Sequence, residues 1–83
     1  MTYREKFHNT IDWKERVLLV ELFHLLKLSK YHNNWKLADT AKYFEVSIAL
    51  VSELLSLAGP LKEGKLDNCL SRSKALKRVK EMK

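Results

Sequence analysis

The chain has 83 residues, a length that holds one small domain with a modest core. Its 46% apolar and 31% charged residues describe a folding, water-compatible protein. The sequence excludes a run of about eighteen uncharged apolar residues, the minimum for a membrane-crossing helix. Its lone cysteine, Cys69, excludes an internal disulfide and suits a reducing compartment, and the net charge is +6.

Residues 1–9 read as a loosely ordered arm. Tyr3 and Phe7 could pin it to the body, or Arg4 and Lys6 could touch phosphates, and the sequence does not choose between the two. The segment MTYREKFHNT lacks the apolar centre of a signal peptide, so the cytoplasm is the expected location. A support helix is expected over residues 10–29, opening at Thr10-Ile11-Asp12, with Thr10 or Asp12 as its cap and Asp12 and Glu15 at the positive end of its dipole. Its apolar residues, Trp13, Val17, Leu18, Leu19, Val20, Leu22, Phe23, Leu25, Leu26 and Leu28, nearly surround the axis. A helix apolar on all sides is buried on several of them, which predicts a homodimer contact through this element. His24 reads as a core histidine. Tyr31-His32-Asn33-Asn34 is a polar connector, with Asn33 or Asn34 a cap for the next helix, and Trp35 is an anchor packed back on the first helix rather than a base-stacking platform.

Residues 35–58 hold the most informative pattern. Leu37, Thr40, Ala41 and Phe44 share one helical face, and Leu50, Val51, Leu54, Leu55 and Ala58 share another. Glu45-Val46-Ser47 interrupts the period, and Ser47 is suited to cap the second helix. Ala41 is small where two helices crossing over so short a turn must touch, and Val46 and Val51 fill the wedge. This is the arrangement of a helix-turn-helix, whose second helix enters the DNA major groove. Glu45 occupies the place usually held by Gly, where positive φ is favoured. Gly59-Pro60 is expected to end the second helix.

Residues 60–83 form a basic helical tail. Leu66-Asp67-Asn68-Cys69-Leu70 suggests a turn of helix, and Ser71 or Ser73 caps a last one. Ala75, Leu76, Val79 and Met82 make its apolar face, and Lys74, Lys77, Arg78, Lys80 and Lys83 its basic face. Residues 1–34 carry a charge of +2, residues 35–57 of −1 and residues 58–83 of +5. The excess thus follows the two-helix unit, where it could lie along a phosphate backbone. The expected fold is all-α, a single domain of four to five helices containing a helix-turn-helix, with no strand.

The helix WKERVLLVELFHLLK, the segment WKLADTAKYFEVSIALVSELLSLA and the tail SRSKALKRVK together resemble the central DNA-binding region of ParB/KorB-like proteins. Glu15-Arg16, Glu21-Leu22, Asp39-Thr40-Ala41, Ser47, Val51-Ser52 and Leu57-Ala58 match that family's pattern over most of residues 12–80. The resemblance implies DNA binding through the second motif helix with help from the helices that follow. The family's nucleotide-binding clamp with its arginine-rich box, and its C-terminal dimerisation domain, have no counterpart in the 83 residues. Clamp loading and nucleotide hydrolysis are therefore not implied, and the match is to a free-standing module of the kind found in small phage, plasmid and bacterial transcriptional regulators.

On this reading Ser47, Ile48, Ala49, Ser52, Glu53 and Ser56 face the groove. Serine can bond to base edges or phosphates, Ile48 and Ala49 can meet a thymine methyl, and Glu53 can accept from cytosine. Lys36, Lys42, Lys62, Lys65, Arg72, Lys74, Lys77 and Arg78 are the phosphate contacts. The second helix has no Arg or Lys on this face, so readout is modest and affinity salt-dependent. A two-fold dimer would favour a palindromic site. The rival function is a protein-interaction module, because SIALVSELLS is unusually neutral for a DNA-reading surface. An enzyme is not expected: His8, His24, His32 and Cys69 are too scattered for a zinc site, and no phosphate loop, nucleophile elbow or paired carboxylates are present. No cofactor is expected.

Overall fold

The computed structural model describes residues 2–82, and every element in it is helical. The expectation for Lys83 lies outside the described residues. Five helices follow one another: α1 (Tyr3–Asn9), α2 (Trp13–Lys30), α3 (Leu37–Phe44), α4 (Ile48–Lys62) and α5 (Arg72–Glu81). The all-α class is as expected.

The first segment departs from the expected loose arm. Thr2 caps it, its Oγ1 accepting the Glu5 amide at 3.2 Å, and the Thr10 hydroxyl closes the other end on the Lys6 carbonyl at 2.6 Å. Phe7 is buried, with its ring 5.1 Å from that of Phe44. His8 Nε2 lies 2.8 Å from the Phe44 carbonyl, and Tyr3 meets Phe23 edge-on. Seven residues are too few to form a stable helix alone; burial of Phe7 and these bonds to α3 order the segment.

Asp12 caps α2, its Oδ1 accepting the Lys14 amide at 3.0 Å. The helix buries Val17, Leu19, Val20, Phe23 and His24 on one side. It is not enclosed all round: Leu18, Leu22, Leu25 and Leu26 remain about half exposed. The connector turns on His32 and Asn33, both in the left-handed region. Neither asparagine caps α3. Lys36 stands at the cap position, and its amide donates to Asp39 Oδ2 at 2.9 Å.

Gly59-Pro60 does not end α4, which continues to Lys62 with Pro60 inside its last turns. A proline disfavours helix in the preceding residue partly through that residue's Cβ, and Gly59 has none. The Glu63 amide reaches the Gly59 carbonyl at 3.1 Å, so the helix closes past the proline. The αL stop falls instead at Gly64, with φ +78°. The expected helical turn at residues 66–70 does not form: residues 63–68 are turns, and residues 69–70 belong to no regular element. Leu66 is fully buried and plugs the core, while Leu70 points outward at 82% exposure. Ser71 then caps α5, its Oγ accepting the Lys74 amide at 3.3 Å.

The core forms where α2 and α4 pack together, the most extensive helix contact in the molecule. Val17, Val20 and Phe23 from α2 meet Val51, Leu54, Leu57 and Ala58 from α4, with Phe44 and Ala41 from α3. The α5 helix docks through buried Ala75 and half-buried Leu76 and Val79, whereas Met82 is exposed.

Candidate nucleic-acid interface

Three residues separate α3 from α4, and the chain bends by 107° between them. The turn follows from local hydrogen bonding. The Val46 amide reaches the Ala41 carbonyl at 3.0 Å and the Glu45 amide reaches Lys42 at 3.3 Å, the paired bonds of a Schellman ending. They require the intervening residue to be left-handed, and Glu45 is, at φ 59° and ψ 43°. Ser47 then starts α4, its Oγ accepting the Leu50 amide at 3.1 Å. Ala41 is 3% exposed where α3 meets α4, Val46 is half-buried, and Val51 is fully buried.

Behind the turn a polar relay anchors α3 to α2. Trp35 Nε1–H donates to Thr40 Oγ1 at 2.7 Å, and His24 Nδ1 lies 2.7 Å from the same oxygen. With Nδ1 unprotonated, the Thr40 hydroxyl donates to it. Burial holds the imidazole below its ordinary value, favouring the neutral form. Tyr31 stacks on Trp35 at 5.4 Å, and Lys27 Nζ sits 5.4–5.9 Å from the Phe23, Tyr31 and Trp35 ring centres. Trp35 is thus an anchor.

The outer face of α4 carries most of the expected groove residues together. Ser47, Ile48, Ala49, Ser52 and Ser56 are all exposed along it. Ser47 Oγ is engaged as an acceptor and keeps its hydrogen to donate. The Ser56 hydroxyl donates to the Glu53 carbonyl at 2.7 Å and keeps lone pairs to accept. Glu53 lies at the edge of this face, half-buried, against Arg72.

The expected phosphate contacts divide into groups. Lys36 and Lys42 are exposed on α3 and its cap. Lys62 is bound to Glu21, Lys65 pairs with Glu63 at 2.8 Å, and Arg72 pairs with Glu53. Among the described residues, Lys36, Lys42, Lys74, Lys77 and Arg78 have no carboxylate partner. The structure gathers Lys65, Lys74, Lys77 and Arg78 around one groove of about 390 Å³, with Asn68, Cys69 and Glu81. Arg4 also comes beside the α3–α4 turn, 3.5 Å from Glu45. Its placement depends on α1 being a helix, which a lone buried phenylalanine does not signal in the sequence.

Among the described residues no group of three or more His, Cys, Asp or Glu side chains is placed to hold a metal ion. Among these residues, too, no single helix is long and apolar enough to cross a membrane. No protein-family model matches the chain, and neither a curated protein nor a solved structure matches it.

Proposed function

We propose that this chain is a double-stranded DNA-binding module of the helix-turn-helix kind, the working part of a small bacterial, phage or plasmid transcriptional regulator. The observation that carries the reading is the 107° bend between α3 and α4 over three residues. Helix-turn-helix pairs cross at about 90–120° over turns of this length. The left-handed Glu45, the Ser47 cap and the small buried Ala41 supply the local chemistry such a crossing needs.

In this reading α4 lies in the major groove with its N-terminal turns and outer face toward the base edges. Ser47 and Ser52 offer hydroxyl donors, Ser56 an acceptor, and Ile48, 53% exposed, an apolar contact for a thymine methyl. The absence of Lys and Arg from this face leaves affinity to cations around it: Lys36 and Lys42 on one side, and Arg72, Lys74, Lys77 and Arg78 on the other. The ParB/KorB-like pattern of the sequence supports the same assignment.

Ile48→Glu tests it. The side chain is outside the core, so the fold survives, while a carboxylate introduced into the groove repels phosphates and cannot contact a methyl. The expected result is retained helical circular dichroism with duplex affinity reduced at least tenfold. Unchanged affinity would remove α4 from the interface. A second reading, a protein-interaction module, is favoured by the same uncharged, partly apolar α4 face. It predicts that Ile48→Glu abolishes a protein complex and that the wild-type chain leaves no footprint on DNA.

A further inference from the structure

An uncovered apolar row lies on α2, on the side turned away from the core. Leu18, Leu22, Leu25 and Leu26 are 42%, 50%, 51% and 49% exposed. Their spacing puts them in one row along the helix. Isolated exposed leucines are ordinary, but a contiguous row of this kind marks an interaction surface. Beside the N-terminal half of the row runs a groove of about 360 Å³, lined by Lys6, Thr10, Glu15, Leu18, Leu19 and Leu22.

We propose that a second copy of this chain covers the row, the two α2 helices packing antiparallel about a two-fold axis near Leu22. The surface fits itself. Leucines stand free in its C-terminal half and a groove opens in its N-terminal half. An antiparallel two-fold seats Leu25 and Leu26 of each copy over the groove of the other, a closed isologous contact. Charge selects the same direction. Glu15 at one end is exposed and has no cationic partner among the described residues, and Lys30 at the other end is exposed. Antiparallel packing brings Glu15 of each copy to Lys30 of the other, whereas parallel packing opposes Glu15 to Glu15. The rim, with Glu15 and Glu21 among its lysines, lacks the cationic border of a helix that lies on a membrane.

The interface has a consequence for the assembly. The α2 and α4 helices bury their inner faces against one another, so the leucine row and the outer face of α4 point in opposite directions. A dimer built on α2 is therefore two-headed, with its two α4 faces directed away from each other. It links two separate duplexes instead of occupying adjacent half-sites of one palindrome. This consequence rests on the DNA-binding reading; the dimer itself does not.

Light scattering at micromolar concentration tests the interface. The wild-type chain is expected at dimer mass, and Leu22→Glu, which sets two carboxylates against each other at the axis, at monomer mass with unchanged helicity. Glu15→Lys is expected to weaken the dimer and Glu15→Lys with Lys30→Glu to restore it, a rescue that parallel packing does not produce. A monomeric wild type, or a dimer indifferent to Leu22→Glu, overturns the proposal. For the assembly, one duplex is fixed to beads and capture of a second, fluorescent duplex is measured. Wild type is expected to capture it, and Leu22→Glu to bind the first duplex without capturing the second. A dimer that binds DNA without capture overturns the two-headed arrangement. A dimer with no affinity for DNA upholds the α2 interface and contradicts the DNA-binding reading.

Discussion

Arg72, the first residue of α5, lies against Glu53 on α4, Nε to Oε2 at 3.6 Å. The pair brings a guanidinium to the edge of a helix face that has no cation of its own. Both side chains are more than a third exposed, so the contact contributes little to stability. In the proposed DNA complex its effect would be electrostatic, with Arg72 offsetting a carboxylate that would otherwise face the phosphates. Glu53→Gln is expected to raise duplex affinity several-fold, and Arg72→Ala to lower it, with the melting temperature of each nearly unchanged. Equal affinities for the two variants would exclude this edge from the interface.

The groove bounded by Lys74, Lys77 and Arg78 collects cations without carboxylate partners. Each phosphate contact removed should reduce the slope of log affinity against log salt by about 0.9. Replacing the three with Ala, and separately Arg72, Lys77 and Arg78, is expected to flatten the slope in proportion. A slope identical to that of the wild type would show that α5 does not touch DNA.

Glu45 holds a left-handed backbone that costs an L-residue roughly 1–2 kcal/mol, offset only weakly by its exposed pair with Arg4. Glu45→Gly is therefore expected to stabilise the fold by about 1 kcal/mol, raising the melting temperature by roughly 4–8 °C for a domain of this size. Thermal denaturation measures it, and destabilisation would contradict the geometry of this turn.

The His24–Thr40–Trp35 relay makes stability depend on pH. Burial lowers the folded-state pKa of His24 from its ordinary 6.5, so the unfolded chain binds a proton that the folded chain resists. This contribution is fully present above the ordinary value and is lost as pH falls from about 7 toward the lower folded value. Denaturant midpoints for wild type and His24→Gln between about pH 5 and 8 should show the wild type losing stability faster on acidification. Parallel curves would contradict it. Thr40→Val removes the acceptor of Trp35 Nε1–H and should cost about 1–3 kcal/mol.

The α3–α4 unit was legible because its determinants are local. Leu37, Thr40, Ala41 and Phe44 mark one face, and Ser47 is a hydroxyl before a new period. Even the positive φ of Glu45 follows from the shape of the turn. What was illegible depends on partners distant in sequence. The α1 helix is ordered by Phe7 and His8 meeting Phe44, and Arg72 reaches Glu53 from the far side of the connecting turns. Gly59-Pro60 carries the local signal of a helix end, but the missing Cβ of Gly59 lets α4 pass through it. The apolar residues of α2 are numerous in sequence, yet only the structure separates those facing α4 from the row left at the surface.

The most direct test of DNA binding is fluorescence anisotropy of the wild-type chain with random-sequence duplex between about 50 and 200 mM salt. The predicted result is tight binding at the lower end that falls roughly a thousandfold across the range, as expected for about five released counterions. No binding at the lowest salt would contradict the account and turn the α4 face over to a protein partner.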